Sequence, residues 1–173
     1  MSSKKNILNK KLPKNVNKAE KFAEEILKKA KIFKKEIKYD KHLLVACILH
    51  ISHSKHYSTL QDVRNLILNP NMGINKIFNT MFSYEHDPEL KKIWTTQDRL
   101  LTKTHPHVQR IIKYYLDMAE GERFRSIKNI VIALFEIVGD KPNSQPIYRT
   151  NFKKIENNPK SDEKHDNYLK GIM

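Results

Sequence analysis

The residues with the greatest capacity for chemistry are eight histidines and a scattering of arginines. His50, His53 and His56 recur every third position. On a helix His50 and His53 share a face and could pair on a metal ion. No thiolate or carboxylate at ligand spacing completes that pair, and His56 falls beyond the helix end. The expected role is therefore polar residues at a helix terminus, with no metal. Arg99 and His105 are separated by five residues. An arginine at a phosphate and a histidine moving protons could together cleave RNA. His105 precedes Pro106, however, and reads better as a helix entrance. A phosphate-binding loop needs closely spaced glycines ahead of Lys-Ser or Lys-Thr. Gly73, Gly121, Gly139 and Gly171 fit no such pattern. The expectation is no catalytic residue, no nucleotide or other cofactor, and no enzymatic activity of the chain's own.

These side chains have to be positioned by helices. Four glycines and seven prolines with 30% charged residues favour helices over a sandwich or barrel. Asn15 or Asn17 opens an amphipathic helix with Ala19, Phe22, Ala23, Ile26, Leu27, Ala30 and Phe33 on one face. Glu24 with Lys28 and Glu25 with Lys29 are favourable pairs on the other. Asp40 caps a helix running to about Ser54. Its segment Leu43–Ile51 is apolar on most sides and belongs at the centre of a domain, with Cys47 as a small buried hydrophobe. Ser58 and Gln61 form a capping box for a short helix that Asn69-Pro70 stops. Ile74, Ile77, Phe78, Met81 and Phe82 mark another short helix.

Asp87-Pro88 is a cap followed by proline at the first helical position, with Leu90, Ile93 and Trp94 after it. Thr95–Lys103 reads as a connection. His105-Pro106 opens a helix packed through Val108, Ile111, Ile112, Tyr115, Leu116 and Ala119. After Gly121 a last long helix buries Phe124, Ile127, Ile130, Val131, Leu134, Phe135 and Val138, and Gly139 ends it. Lys141–Pro146 is a loop. The fold class is all-α: a compact bundle of about six to eight helices with no significant sheet. Residues 1–15 form a mobile basic arm, 16–152 the helical domain and 153–173 a polar tail.

The net charge of +14 is uneven: residues 1–41 hold fourteen Lys against five acids. Such an arm can engage phosphates or an anionic surface, although the same composition also simply confers solubility. The longest uncharged stretch in the apolar region, His42–Ser54, has thirteen residues, short of the ~20 a membrane-spanning helix needs. The start lacks the apolar core of a secretory signal. A single cysteine excludes an internal disulfide and suits a reducing compartment. Lys91, Lys92, Arg99 and Lys103 make one basic segment around Trp94. Arg110, Lys113, Arg123, Arg125 and Lys128 lie on the outward sides of the last two helices. Either group could meet an acidic partner or a DNA backbone. Trp94, Tyr114, Tyr115 and Phe135 could form a stacking platform for single strands, but their spacing places most of them in the core, with Tyr114 the exception.

Between Ser83 and Phe152 the punctuation runs His86-Asp87-Pro88, Trp94, Thr104-His105-Pro106-His107-Val108, Glu122-Arg123, Asp140, and Tyr148-Arg149-Thr150-Asn151-Phe152. In this order it resembles the all-alpha domain of type IV secretion coupling proteins, the TraG/TraD-like ATPases. The resemblance covers roughly Leu43 to Phe152. It departs from the family pattern at Phe124 and Arg125, at Lys141-Pro142, and at Thr150-Asn151-Phe152. It implies a helical domain inserted in, or excised from, a hexameric ATPase at the cytoplasmic face of a bacterial inner membrane, with no membrane contact of its own. Its job would be recognition, docking secreted effector proteins, relaxase–DNA substrates or an adaptor or chaperone, with an acidic partner favoured. In that setting His86, Asp87, Pro88, Trp94, Thr104, His105, Pro106, Val108, Glu122, Arg123, Asp140, Thr150 and Phe152 are structural, and the Glu122–Arg123 pair organises the turn between two helices. The Arg99–His105 spacing also resembles the loose arginine–histidine pattern of the helical nucleases called HEPN. A basic nucleic-acid-binding module is the alternative reading.

Overall fold

The structure, a computed structural model, describes residues 7, 10–30, 37–69 and 71–138. Contacts divide the chain into two units, Met1–Lys141 and Pro142–Met173, and every described residue belongs to the first. The expected Gly139 cap, the loop after it, the polar tail, and Asp140, Thr150 and Phe152 lie outside the described residues.

Among those residues are six α-helices and one small hairpin, so the fold is all-α. Helix α1 (Val16–Lys29) starts at Asn15, whose side-chain oxygen accepts from the Lys18 amide at 3.3 Å. It buries Ala19, Phe22, Ala23, Ile26 and Leu27. Lys28 and Lys29 reach back one turn to Glu24 and Glu25 at 2.8 and 3.0 Å, as their spacing dictates.

Helix α2 (Ile37–Ser54) is the centre of the bundle. Leu43, Leu44, Val45, Ala46, Cys47, Ile48 and Leu49 are all buried, and the helix packs against α1 and three later helices. An all-round apolar helix has no face to give to water, and only the middle of a bundle accommodates it. It begins before Asp40, which is therefore not the expected cap. Asp40 is buried, and its carboxylate accepts from the Asn129 side-chain amide at 3.0 Å.

Helix α3 (Leu60–Ile67) is capped by Thr59, one residue later than the expected Ser58 box. The Asp62 carboxylate accepts from the Thr59 amide at 2.9 Å, the reciprocal bond that the sequence assigned to Gln61. Ser58 is buried, and its carbonyl accepts from the Leu12 amide at 2.9 Å. The arm read as mobile over residues 1–15 is thus held at its described end, where Leu12 is 2% exposed.

Helices α4 (Ile74–Ser83) and α5 (Pro106–Asp117) pack on each other, and α5 also rests on α2. Helix α6 (Glu120–Val138) closes the bundle against α1, α2 and α3. The Arg123 guanidinium donates to the Leu116 and Met118 carbonyls at 3.3 and 2.9 Å and to the Asn75 side chain. It ties the α5–α6 turn to α4. Among the described residues no helix is long and apolar enough to cross a membrane.

Between α4 and α5 the chain does two things the sequence did not announce. Pro88–Leu90 is a single 3-10 turn entered by Asp87 at φ 49°, not a capped α-helix. The expected connection Thr95–Lys103 is a hairpin, β1 (Trp94–Thr95) pairing antiparallel with β2 (Leu101–Thr102). Its loop is closed by the Thr96 amide on the Leu100 carbonyl at 2.9 Å and the Arg99 amide on the Thr96 carbonyl at 3.0 Å. Arg99 takes the left-handed conformation at φ 60°, the arrangement of a three-residue hairpin loop.

Candidate functional site

The hairpin is held by a buried junction of histidines. His50 and His53 come from the last two turns of α2, three residues apart and so on one face. His86 and Asp87 arrive on the segment after α4, and His105 stands at the entrance of α5. His50, His53, His86, Asp87 and His105 are all buried.

Hydrogen bonding fixes the protons. The His105 amide donates to His86 Nδ1 at 3.0 Å, so His86 carries its hydrogen on Nε2. That Nε2–H donates to His50 Nδ1 at 3.0 Å, which makes His50 an acceptor there. The His107 amide donates to His105 Nδ1 at 3.2 Å, giving His105 the same tautomer. All three imidazoles are neutral in this ladder, and a proton added at any Nδ1 breaks a bond. Their basicity agrees. Burial pushes His86 down to about 3, assisted by the neighbouring His50, His53 and His105. Burial likewise pushes His50 and His105 down to about 4.

His53 is placed differently. Its Nδ1 meets Asp87 Oδ2 at 2.6 Å and its Nε2 meets the Lys14 carbonyl at 3.1 Å. Both partners are acceptors, so the two bonds coexist only when both ring nitrogens carry hydrogen. The other oxygen of Asp87 takes the Lys14 ammonium at 2.6 Å. Burial pushes the Asp87 carboxyl up, but the hydrogen bonds from Lys14 and His53 outweigh it and hold the group below its ordinary value. The Asp87 amide donates to the His53 carbonyl at 2.8 Å, and the His86 amide to the Lys103 carbonyl at 3.0 Å. The Thr104 hydroxyl donates to the Tyr84 carbonyl at 2.8 Å. Asp87 is therefore the ionic centre of the junction rather than the helix cap expected of it.

Trp94 links this junction to the surface. Its ring lies 4.4 Å from His105 and 5.4 Å from His53, centroid to centroid, and the Lys92 ammonium sits 3.8 Å above it. A cation over an indole face is attracted by the ring quadrupole. Beyond Trp94 the hairpin region displays Leu90, Ile93, Leu100 and Leu101, 61–74% exposed. Lys91, Lys92, Arg99 and Lys103 are exposed on the same segment, with Lys103 also 3.2 Å from Glu85.

The other residues singled out in the sequence divide. Arg110, Lys113 and Arg125 are exposed, while Arg123 and Lys128 are half-buried. Tyr115 is fully buried, Phe135 half-buried and Tyr114 50% exposed, so no continuous aromatic platform forms from these three and Trp94. Arg99 lies at the hairpin tip, whereas His105 is spent on the His107 amide. Among the described residues no group of three or more His, Cys, Asp or Glu is arranged to hold a metal ion. What the sequence missed is that His50, His53, His86 and His105 converge. The contacts span 34 and 36 residues and follow no helical or strand period. The chain matches no family model, no curated protein and no solved structure.

Proposed function

We propose that this chain is a docking domain that recognises an acidic protein partner through the hairpin. The observation that carries the reading is that Leu90, Ile93, Leu100 and Leu101 are all exposed on one short segment that also exposes Lys91, Lys92, Arg99 and Lys103. Single exposed leucines are ordinary on any surface. Four within twelve residues, on a segment braced by a hydrogen-bonded ladder, mark that segment as an interaction surface. The apolar side chains supply affinity by burial, and the flanking cations select a partner that carries carboxylates beside its own apolar residues. No covalent chemistry is required of it.

The motif order from His86 to Phe152 supports a specific setting, the all-alpha domain of a type IV secretion coupling ATPase at the cytoplasmic face of a bacterial inner membrane. In that setting the partner is a secreted effector or its adaptor, delivered to the hexameric motor. The test uses the folded chain as bait in the cytoplasm of a bacterium carrying such a system. Wild type is expected to retain an acidic transported protein or adaptor, and the double variant Ile93→Asp/Leu101→Asp to lose it at least tenfold at unchanged melting temperature. Both positions are more than 60% exposed, so their replacement leaves the core intact. Recovery of ribosomal RNA and ribosomal proteins alone, or retention by the variant, overturns the reading.

A further inference from the structure

A second site lies between the hairpin and α5. A cavity of about 700 Å³ opens there, within the size range of small-ligand pockets. Phe82, Trp94, Leu100 and Pro106 give it apolar walls, and Arg110 and Lys113 place two cationic side chains at its α5 side. Two of its lining side chains carry buried polar atoms with no hydrogen-bond partner, Trp94 Nε1 and His107 Nε2. Their chemistry is the same. An indole nitrogen is only ever a donor. His107 Nδ1 accepts from Arg110 at 3.2 Å, so its hydrogen resides on Nε2, and that atom too is a donor. Burial, assisted by Arg110, lowers the basicity of His107 and keeps the ring neutral in that tautomer.

Buried donors without acceptors cost about 1–3 kcal/mol each, and native structures pair them with a protein group or an ordered water. Both donor atoms are nearly sealed from solvent, so the positive charge offered to an occupant of the cavity comes from the exposed Arg110 and Lys113. Asp98, on the hairpin loop, is the single carboxylate among the described lining residues, and it would oppose an anion at its own end. The α5 side is where the positive charge and the amino-terminal end of that helix coincide. We infer that this cavity binds a small anion borne on a flat apolar body, an aryl carboxylate or aryl phosphate, with its anionic oxygens toward Arg110 and Lys113 and its ring between Trp94, Phe82 and Leu100.

The inference shares Leu100 with the docking reading but does not depend on it, because the bound anion is read at Arg110 and Lys113 on α5. Trp94 is the only tryptophan of the chain, so its indole N–H gives one resonance and its fluorescence one signal. Phenyl phosphate and benzoate, titrated into the full chain, are expected to shift that resonance saturably, with a dissociation constant of about 1 mM or tighter. Benzyl alcohol, of similar shape without the charge, binds at least tenfold more weakly. The tighter of the two anions names the oxygen group the site prefers. Arg110→Gln/Lys113→Gln weakens either anion tenfold or more, while Lys21→Gln on α1 leaves it unchanged. An alcohol as tight as the anions, or no saturable shift from any probe, overturns the proposal. That comparison needs only the wild-type chain and stands even if the double variant misfolds.

Discussion

Asp87→Ala lowers the unfolding free energy by about 3 kcal/mol, from one lost charge-assisted hydrogen-bond set and one strained backbone residue. Asp87 holds the 3%-exposed imidazole of His53 and the ammonium of Lys14 with its two oxygens. Without the carboxylate, the His53 nitrogen that faced it is buried with no acceptor. Removing one member of a buried ionic group costs more than the group itself contributes, since the remainder stays desolvated. The backbone adds to this. Asp87 stands at φ 49°, a conformation that Asp and Asn tolerate and Ala does not. Asp87→Asn keeps the backbone preference and one acceptor oxygen, and is expected to lose only about 1 kcal/mol. Urea unfolding at pH 7 measures both, read as midpoint shifts at constant slope. Equal losses for Ala and Asn at well under 1 kcal/mol contradict an ionic centre at Asp87. Because the same residues brace Trp94, the Ala variant also shifts tryptophan emission to longer wavelength while the native fold persists.

Acid is expected to unfold the domain well above the pH at which carboxylates alone would do so. His50, His86 and His105 are held neutral by the fold, with their basicities lowered to about 4, about 3 and about 4. In the unfolded chain they titrate near 6.5. The sign follows from proton counting. Above pH 7 both states are neutral at these sites, and their contribution is full and constant. As the pH falls through 6.5 the unfolded chain takes up protons that the folded chain refuses. Stability therefore declines from pH 6.5 towards 4, and levels only where the folded ladder itself begins to protonate. Each such histidine costs on the order of 3 kcal/mol by pH 4. Three together are comparable with the roughly 5–15 kcal/mol total stability of a typical domain. Asp87, lowered in the folded state, acts in the same direction, losing its contribution as the pH falls through the carboxylate range. Urea midpoints taken between pH 7.5 and 4 should fall steeply below pH 6.5, with uptake of two to three protons on unfolding near pH 5. A flat profile over pH 7 to 5 contradicts neutral buried imidazoles.

The bundle was legible because its signals are local. The all-round apolar run Leu43–Ile51 has one place to go, and it went there. Ala19 to Leu27 repeats at helical spacing and buries at that spacing. Pro106 at the first position of α5 gives its start to the residue. The hairpin was harder. Its strands are two residues each, and Gln97-Asp98-Arg99 lacks the Asn-Gly pair that marks a tight turn. The β-prone residues Trp94, Thr95, Thr96 and Thr102 were the signal available, and they are too few to override a loop reading. Asp87 was misassigned because Asp-Pro has the same local form whether the carboxylate caps its own backbone or reaches a histidine 34 residues away. The junction could not be read at all from spacing. His50, His53, His86 and His105 arise on three separate segments, and only tertiary packing makes them neighbours.

The most direct test of hairpin docking is site-specific photocrosslinking in a bacterium with an active type IV secretion system. A photoreactive amino acid replaces Leu101 at the exposed hairpin or, as a control, Asn79 on the exposed side of α4. The account predicts a discrete adduct from position 101 to an acidic transported protein or its adaptor, and none from position 79. Adducts to nucleic acid alone, or equal yields of the same protein adduct from both positions, would contradict it.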